Sequence, residues 1–457
     1  MATKTVTDLR DGVQGPVIGP DDEGYDEHRN TYQAMYDRRP AVVVRAEGTA
    51  DVVAAVNHAR ENGLDLAVRG GGHSVPAYGS CDGGVVIDLS LMRNVEVDPA
   101  GKIARTQGGC TWGDHNDATH VHGLASTGGI ISTTGVGGLT LGGGIGYLAR
   151  GQGLSLDCLV GAEVVTADGR VVRADSGENA DLFWALRGGG GNFGVVTTFE
   201  IALSPVHTIY GGPILYELDD APTVMRFYNE YIRTAPEEMG AFFAYQLAPP
   251  LEFIPADRHG DPFCLMVVCW AGPVEEGEKQ LKPFFDVAPV VAHHTGPAPY
   301  PALNSAFDAL VPPGLQHYWK AHFSTELTDG AIAAHQQWGP KLPAVNSTMH
   351  IYSINGACHR VGPDETAWGH RDATFATVIA GMWPDPADND ASIAWVRGYY
   401  DETVAHSQLG GYINFLSEDD EGNASANFGA NYQRLAEVKR AWDPDNLFHL
   451  NQNIKPA

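Results

Sequence analysis

Positive charge is scarce in this 457-residue chain: 29 Lys and Arg stand against 56 Asp and Glu, a formal balance of −27 with His neutral. Such a field repels nucleic acid and anionic membrane surfaces, so neither is an expected partner. Long apolar runs are missing too. None reaches about 18 residues, which argues against a membrane-spanning helix. The opening Met1–Asp8 lacks the apolar stretch of a secretory signal, and the expected location is the cytoplasm.

Cysteine is sparse and unpaired in pattern. Six are scattered with no C-x-x-C pair, which excludes a zinc-ligand spacing or a dense disulfide frame and leaves buried free thiols as the expected state. His115, His120 and His122 cluster in "DHNDATHVH", but their spacing fits no standard ligand set, so no metal is expected. The Walker pattern is absent, which removes the common nucleotide triphosphatases. Glycine is what the chain has in excess, 55 residues concentrated between Arg69 and Gly194.

The first 200 or so residues alternate short β-rich runs with helical ones. "PAVVVRA" (Pro40 to Ala46), "LDLAVRG" and "GGVVIDLS" read as strands, and Thr49 to Asn62 as an amphipathic helix with Thr49 near its N-cap. "LVGAEVVTADGRVVRA" reads as a hairpin turned at Asp168-Gly169. From about Pro205 the texture changes. "GPILYEL", "GAFFAYQL", "PFCLMVVCW", "MHIYSIN" and "FATVIAGMW" alternate with helical stretches, predicting a large antiparallel sheet backed by helices. The tail returns to helix, with Tyr432, Leu435, Val438 and Trp442 at helical spacing before Asp443-Pro444. The expected class is α+β.

Three glycine-rich segments bear on binding. Gly189, Gly191 and Gly194 form a G-x-G-x-x-G string, but it follows a helical stretch (Ala180 to Leu186) and precedes a strand. A dinucleotide loop of the Rossmann type needs the reverse order, since a helix N-terminus must face the pyrophosphate. In "RGGGHS" (Arg69 to Ser74), three glycines follow a strand, and their backbone N–H groups can converge on an anion. "GVGGLTLGGGIG" (Gly135 to Gly146) permits close passage of the chain along a flat or extended ligand. Tight turns alone would also account for either segment singly.

"RGGGHSVPAYGSCDGGVVIDLS", "GVGGLTLGGGIGYLARGQGLSLD", "GGGGNFGVVT" and "NYQRLAEVKRAWDPDNLFHLNQNI", in that order, resemble the berberine-bridge-enzyme-like FAD-linked oxidoreductases of the vanillyl-alcohol-oxidase superfamily. The resemblance implies an FAD-binding domain of the PCMH type made from residues 1–205 and 409–457, with a substrate domain, 206–408, between them. It implies FAD contacts from Arg69, Gly70, Gly71, Gly72, His73, Ser74 and Gly79. Gly128, Thr133, Thr134, Gly137, Gly138, Thr140, Gly143 and Gly146 join them, with Val195 and Asn451 beyond. It also implies that His73 carries the flavin 8α-methyl group on an imidazole nitrogen, since neutral imidazole is nucleophilic.

Three departures from the family pattern matter. Where many relatives carry a second link from a cysteine, this chain has Ile131, which cannot form a thioether, so a single link through His73 is expected. Thr134, three residues on, occupies a place near the flavin that often holds valine or leucine and affects oxygen access. In place of a Tyr-x-Asn-Tyr motif the chain reads "YINF", Tyr412 to Phe415, so the second tyrosine's role as a base does not transfer. Tyr412 and Asn414 are expected on one strand face at i, i+2 spacing, as a catalytic pair or as hydrogen-bonding wall residues. His350 and Tyr352 are expected on one face of the "MHIYSIN" strand, as candidates for a base, with a satisfied core histidine as the alternative for His350, and Ser353 and Asn355 on the other.

The resemblance implies transfer of a hydride from a small alcohol, sugar, amine or secondary-metabolite intermediate to flavin N5, with O2 then reduced to hydrogen peroxide. The alternatives are a dehydrogenase with another acceptor, a cousin with non-covalent FAD acting on a nucleotide sugar, and a flavin-binding protein without catalysis.

Overall fold

The computed structural model describes residues 7, 9–408 and 410–457; the segment read above for a secretory signal and the junction at 408/409 fall at or outside those limits. Strands Val42–Arg45, Val85–Asp88 and Leu66–Arg69 lie parallel, with Val17–Ile18 antiparallel at one edge. Helix Thr49–Asn62 makes the crossover that a parallel pair needs. Thr49 is its first helical residue; Gly48 is the N-cap, and no side chain caps there. These strands are buried along nearly their whole length, as parallel strands covered on both faces must be.

A second sheet is antiparallel, in the order Val95–Asp98, Ile103–Gln107, Val195–Ala202, Leu159–Val165 and Val171–Asp175. The last two form the expected hairpin, with Gly169 at φ +81° in its turn.

The predicted large sheet has eight strands. Seven run in the order Val290–His293, Thr208–Tyr216, Pro262–Trp270, Met239–Leu247, Thr348–Ser353, Phe375–Trp383 and Gln316–Ser324, and Gly296–Pro299 also pairs with 208–216. Helices Ala221–Tyr231, Asp329–Trp338 and Asn389–Val404 cover one face through a core that includes Tyr228, Ile332 and Tyr399. The fold is α+β.

The tail folds back onto the first half of the chain. Helix Tyr432–Trp442 contributes Leu435, Ala436 and Val438 to a core shared with Trp184, Leu186 and Phe199, and Phe448 joins the core around Val42 and Val44. Lys439, fully buried, donates to Asp443 (2.6 Å), to the carbonyl of Asn192 (2.7 Å) and to that of Phe448 (2.9 Å). Asn192 in turn accepts from the Ile454 amide and donates to the Gln452 carbonyl. One ammonium thereby ties the tail to the loop that follows helix Ala180–Leu186. All six cysteines are free and buried. Among the described residues no helix is long and apolar enough to cross a membrane.

Candidate active site

A cleft of about 360 Å³ opens between the glycine-rich segments and the face of the large sheet opposite its covering helices. Gly70, Gly71, Gly72, His73, Ser74 and Gly79 line one side, with Thr134, Gly138 and Asn451; His350, Tyr352, Tyr412 and Asn414 line it as well. Gly72, at φ +71°, turns the chain between strand 66–69 and His73.

His73 is held on three sides. Its ring stacks on Tyr32 with centroids 3.6 Å apart, its Nε2 lies 3.1 Å from the Thr133 hydroxyl, and its Nδ1 lies 3.5 Å from that of Thr134. Burial, reinforced by nearby His317, lowers the imidazole pKa to about 3, so His73 is neutral at ordinary pH. Ile131 lines the cleft in the same segment. That segment is anchored across the cleft, because Asp308 accepts from the Ser132 amide (2.8 Å) and its hydroxyl (2.5 Å).

Several expected contact residues do their work behind the cleft wall. A Cβ on Gly128 would sit 2.5 Å from Trp112, one on Gly137 3.3 Å from Phe199, and one on Gly146 1.7 Å from the Gly128 carbonyl oxygen. These glycines let backbone and side chains pack closely; none of the three lines the cleft. Gly143 backs onto the Tyr412 ring, Thr133 spends its hydroxyl on His73, and Val195 is buried in a core. Thr140 also lies behind the wall, its hydroxyl buried without a partner among the described residues. Arg69 lines the cleft, but its guanidinium is committed to the His28 and Asn30 carbonyls and to Asp88 at 3.0 Å. It orders the 28–30 turn.

Tyr412 and Asn414 do not share a strand. Residues Ile413–Phe415 form a turn of 3₁₀ helix, yet the two side chains still meet, the Asn414 amide donating to the Tyr412 oxygen at 2.8 Å. The same oxygen accepts the Gly144 N–H at 2.6 Å. Those bonds favour the phenolate, but burial outweighs them and pushes the phenol up to about 12. Through these bonds Tyr412 clasps the 142–144 glycines.

His350 and Tyr352 do share a face, with Nδ1 of His350 2.6 Å from the Tyr352 hydroxyl. Ser353 and Asn355 point away, to the Ala241 carbonyl and to the buried guanidinium of Arg150. Burial lowers the His350 imidazole to about 3 and raises the Tyr352 phenol. His115 is a core residue, its two nitrogens on Thr106 and Ser126, and His120 stacks on His207.

The cleft also includes Gly190, Gly191 and Asn192, from the string read above as failing the Rossmann order, and Gln452. That order is as read, since the string follows helix Ala180–Leu186 and precedes strand Val195–Ala202. What the pattern hid is that the tail folds over this loop and turns it into cleft wall.

A model of the FAD binding domain matches residues 40–175, and a berberine and berberine-like model matches residues 411–455. Over 475 aligned residues the chain is 31% identical to the (R)-6-hydroxynicotine oxidase of Paenarthrobacter nicotinovorans, covering 100% of this chain and 99% of that one. This chain is a berberine-bridge-enzyme-like FAD-linked oxidoreductase.

It is also 40% identical to the glucooligosaccharide oxidase of Sarocladium strictum, over 95% of this chain and 91% of that one. The crystal structure of 6-hydroxy-D-nicotine oxidase from Arthrobacter nicotinovorans superposes with a TM-score of 0.87 at 27% identity, covering 97% and 98% of the two chains. The cleft of this FAD-linked oxidoreductase suits a large polar cofactor. Gly138 and Gly191 line it with open space where a Cβ would stand. The amide oxygen and nitrogen of Gln452 and the amide oxygen of Asn451 are buried without partners among the described residues, a state that costs free energy until a ligand satisfies them.

Proposed function

We propose that this protein is an oxidase of a small organic substrate that carries FAD on a single covalent bond to His73 and passes electrons on to O2. The observation that carries the reading is His73 itself: an imidazole held neutral at the cleft wall, oriented by Tyr32, Thr133 and Thr134, with isoleucine rather than cysteine at position 131. Bound FAD supplies the two-electron acceptor. Residues 7–205 together with 410–457 form the cofactor-binding unit, in which Gly70 to Gly72, Gly138, Gly190 to Asn192, Asn451 and Gln452 hold it. The intervening residues supply the substrate wall.

His350 takes the substrate's O–H or N–H proton. In the tautomer that donates Nδ1–H to the Tyr352 oxygen, Nε2 is the bare acceptor, and the 2.6 Å contact orients the ring. That relatives are named oxidases supports O2 as the terminal acceptor.

Acid-precipitated holoenzyme should stay yellow, and a digest should place the flavin mass on the His73 peptide; colourless precipitate with unmodified His73 would end the covalent reading. Aerobic turnover should release one peroxide per substrate oxidised. Reduced enzyme that air fails to reoxidise would instead make the protein a dehydrogenase.

A further inference from the structure

Cross-strand registers set the chemistry of the substrate wall. On the sheet face opposite the helices Leu265, Ala244, His350 and Val378 stand in one row, and Val267, Phe242, Tyr352 and Ala376 in the next. A third row places Gln246, Thr348, Ala380 and Trp319 side by side. His350 is thus flanked by Ala244 and Val378. Around it stand aromatic rings: Phe242 lies 4.8 Å from His350 and 5.0 Å from Tyr352, and Phe415 stacks 6.0 Å from Tyr352. Trp319 meets Phe415 edge-on at 5.9 Å.

No Asp, Glu or Lys lines the cleft among the described residues, and the one Arg is the committed Arg69. Most polar groups on the sheet side are already spent. Thr348 donates to the Tyr245 carbonyl at 2.9 Å, Asn346 to that of Leu310 at 2.8 Å, and Gln246 to that of Val345. What remains is the His350–Tyr352 pair, the Trp319 indole N–H, buried with no partner among the described residues, and the amide oxygens of Gln246 and Asn346, whose nitrogens alone are bonded.

From this distribution we infer that the substrate is an uncharged, ring-bearing alcohol or free-base amine, with one proton for His350 and one acceptor for Trp319, and not an oligosaccharide or a carboxylate. The inference rests on the reading of the cleft as an oxidase site. An anion or ammonium would enter without a counter-charge, and burying an unpaired charge is far costlier than burying a ring. A sugar would bury hydroxyls against Val, Leu and Phe, and each one left unpaired weakens binding. The balance of −27 also disfavours approach of an anion.

The test is calorimetric titration of the holoenzyme with benzyl alcohol, benzoate, benzyltrimethylammonium and cellobiose. Benzyl alcohol should bind at least about tenfold more tightly than the other three. Equal or tighter binding of any of them, or no measurable binding of benzyl alcohol, overturns the inference. Gln246→Lys places a cation at the edge of the third row and should improve benzoate about tenfold relative to benzyl alcohol. Unchanged benzoate affinity in that variant would locate the ring elsewhere and equally overturn it. Heats of binding do not depend on flavin reduction. A colourless protein, or a reduced enzyme that air fails to reoxidise, would therefore strike the oxidase reading, while the order of affinities judges the substrate class.

Discussion

Gly71 and Gly135 lie backbone against backbone: a Cβ on either would come within 2.4 Å of the other's amide nitrogen. This contact joins two glycine segments at positions 64 residues apart in sequence. It brings Thr133 and Thr134 to the His73 ring.

Alanine at Gly71 or Gly135 must therefore push the segments apart. Either substitution should destabilise the protein by about 1–3 kcal/mol and lower flavin incorporation together. Gly138→Ala, where nothing lies within 4 Å, should leave thermal stability intact and weaken FAD retention alone. Denaturant titration beside the flavin-to-protein absorbance ratio separates the two. Equal stability losses at all three positions would refute the distinction.

Tyr412→Phe removes the acceptor of the Gly144 N–H and strands a buried donor. A stability loss of about 1–3 kcal/mol is expected, with turnover reduced modestly. A phenol acting as base would give the opposite pattern, a fall in kcat of about 10²–10⁴-fold with stability unchanged. Steady-state kinetics and urea unfolding on one preparation decide.

His350 has its imidazole lowered to about 3 by burial, so the neutral, proton-accepting form persists until the pH falls to that region. No loss of kcat/KM from His350 is expected between pH 8 and pH 5, roughly the window in which an unperturbed histidine would titrate. Loss of activity in His350→Ala, combined with a wild-type acid limb near pH 6.5, would show that the ring is better solvated than the geometry implies.

Asp88 is pulled two ways. Burial raises its pKa, but the Arg69 guanidinium and the Ser90 amide lower it further, and the net value is below the usual carboxylate range. A carboxylate depressed in the folded state contributes stability above its unfolded pKa of about 3.9, and that contribution is lost as pH falls through the folded value. Melting temperature should drop below about pH 4, and Asp88→Asn should show a shallower drop from a lower starting point.

Lys439→Met leaves the Asp443 carboxylate buried without its cation and frees the tail from Asn192. A loss of about 3–5 kcal/mol is expected, with FAD retention reduced because Gly190 to Asn192 and Gln452 lose their common anchor. Adding Asp443→Asn should recover part of the stability, since the stranded charge is then gone while an amide oxygen is kept for a backbone N–H of Leu447 or Phe448. No recovery would mean the carbonyl contacts, not the ion pair, dominate.

The N-terminal strands, helix Thr49–Asn62, the hairpin at Gly169 and the terminal helix were all legible along the chain, because hydrophobic period, caps and turn residues act over a few positions. The triple glycine before His73 could be read there too, and the structure brings that histidine to the cleft. Tyr412 and Asn414 show where local reading stops. Their spacing is correct, but the backbone beneath them is a turn, and the direction of the Tyr412 pKa depends on burial by distant segments.

Which glycines face a ligand and which only let chains pass was likewise invisible. Gly137 and Gly138 are neighbours in sequence, yet one abuts Phe199 and the other opens onto the cleft. Composition and short-range pattern determined the elements, the class and the cofactor-type motifs, because those follow from interactions between near neighbours. The wall opposite His73, the clasp on Gly144 and the tail over Asn192 were decided only by tertiary packing. Register, burial and charge pairing there join residues hundreds of positions apart, and no local rule encodes them.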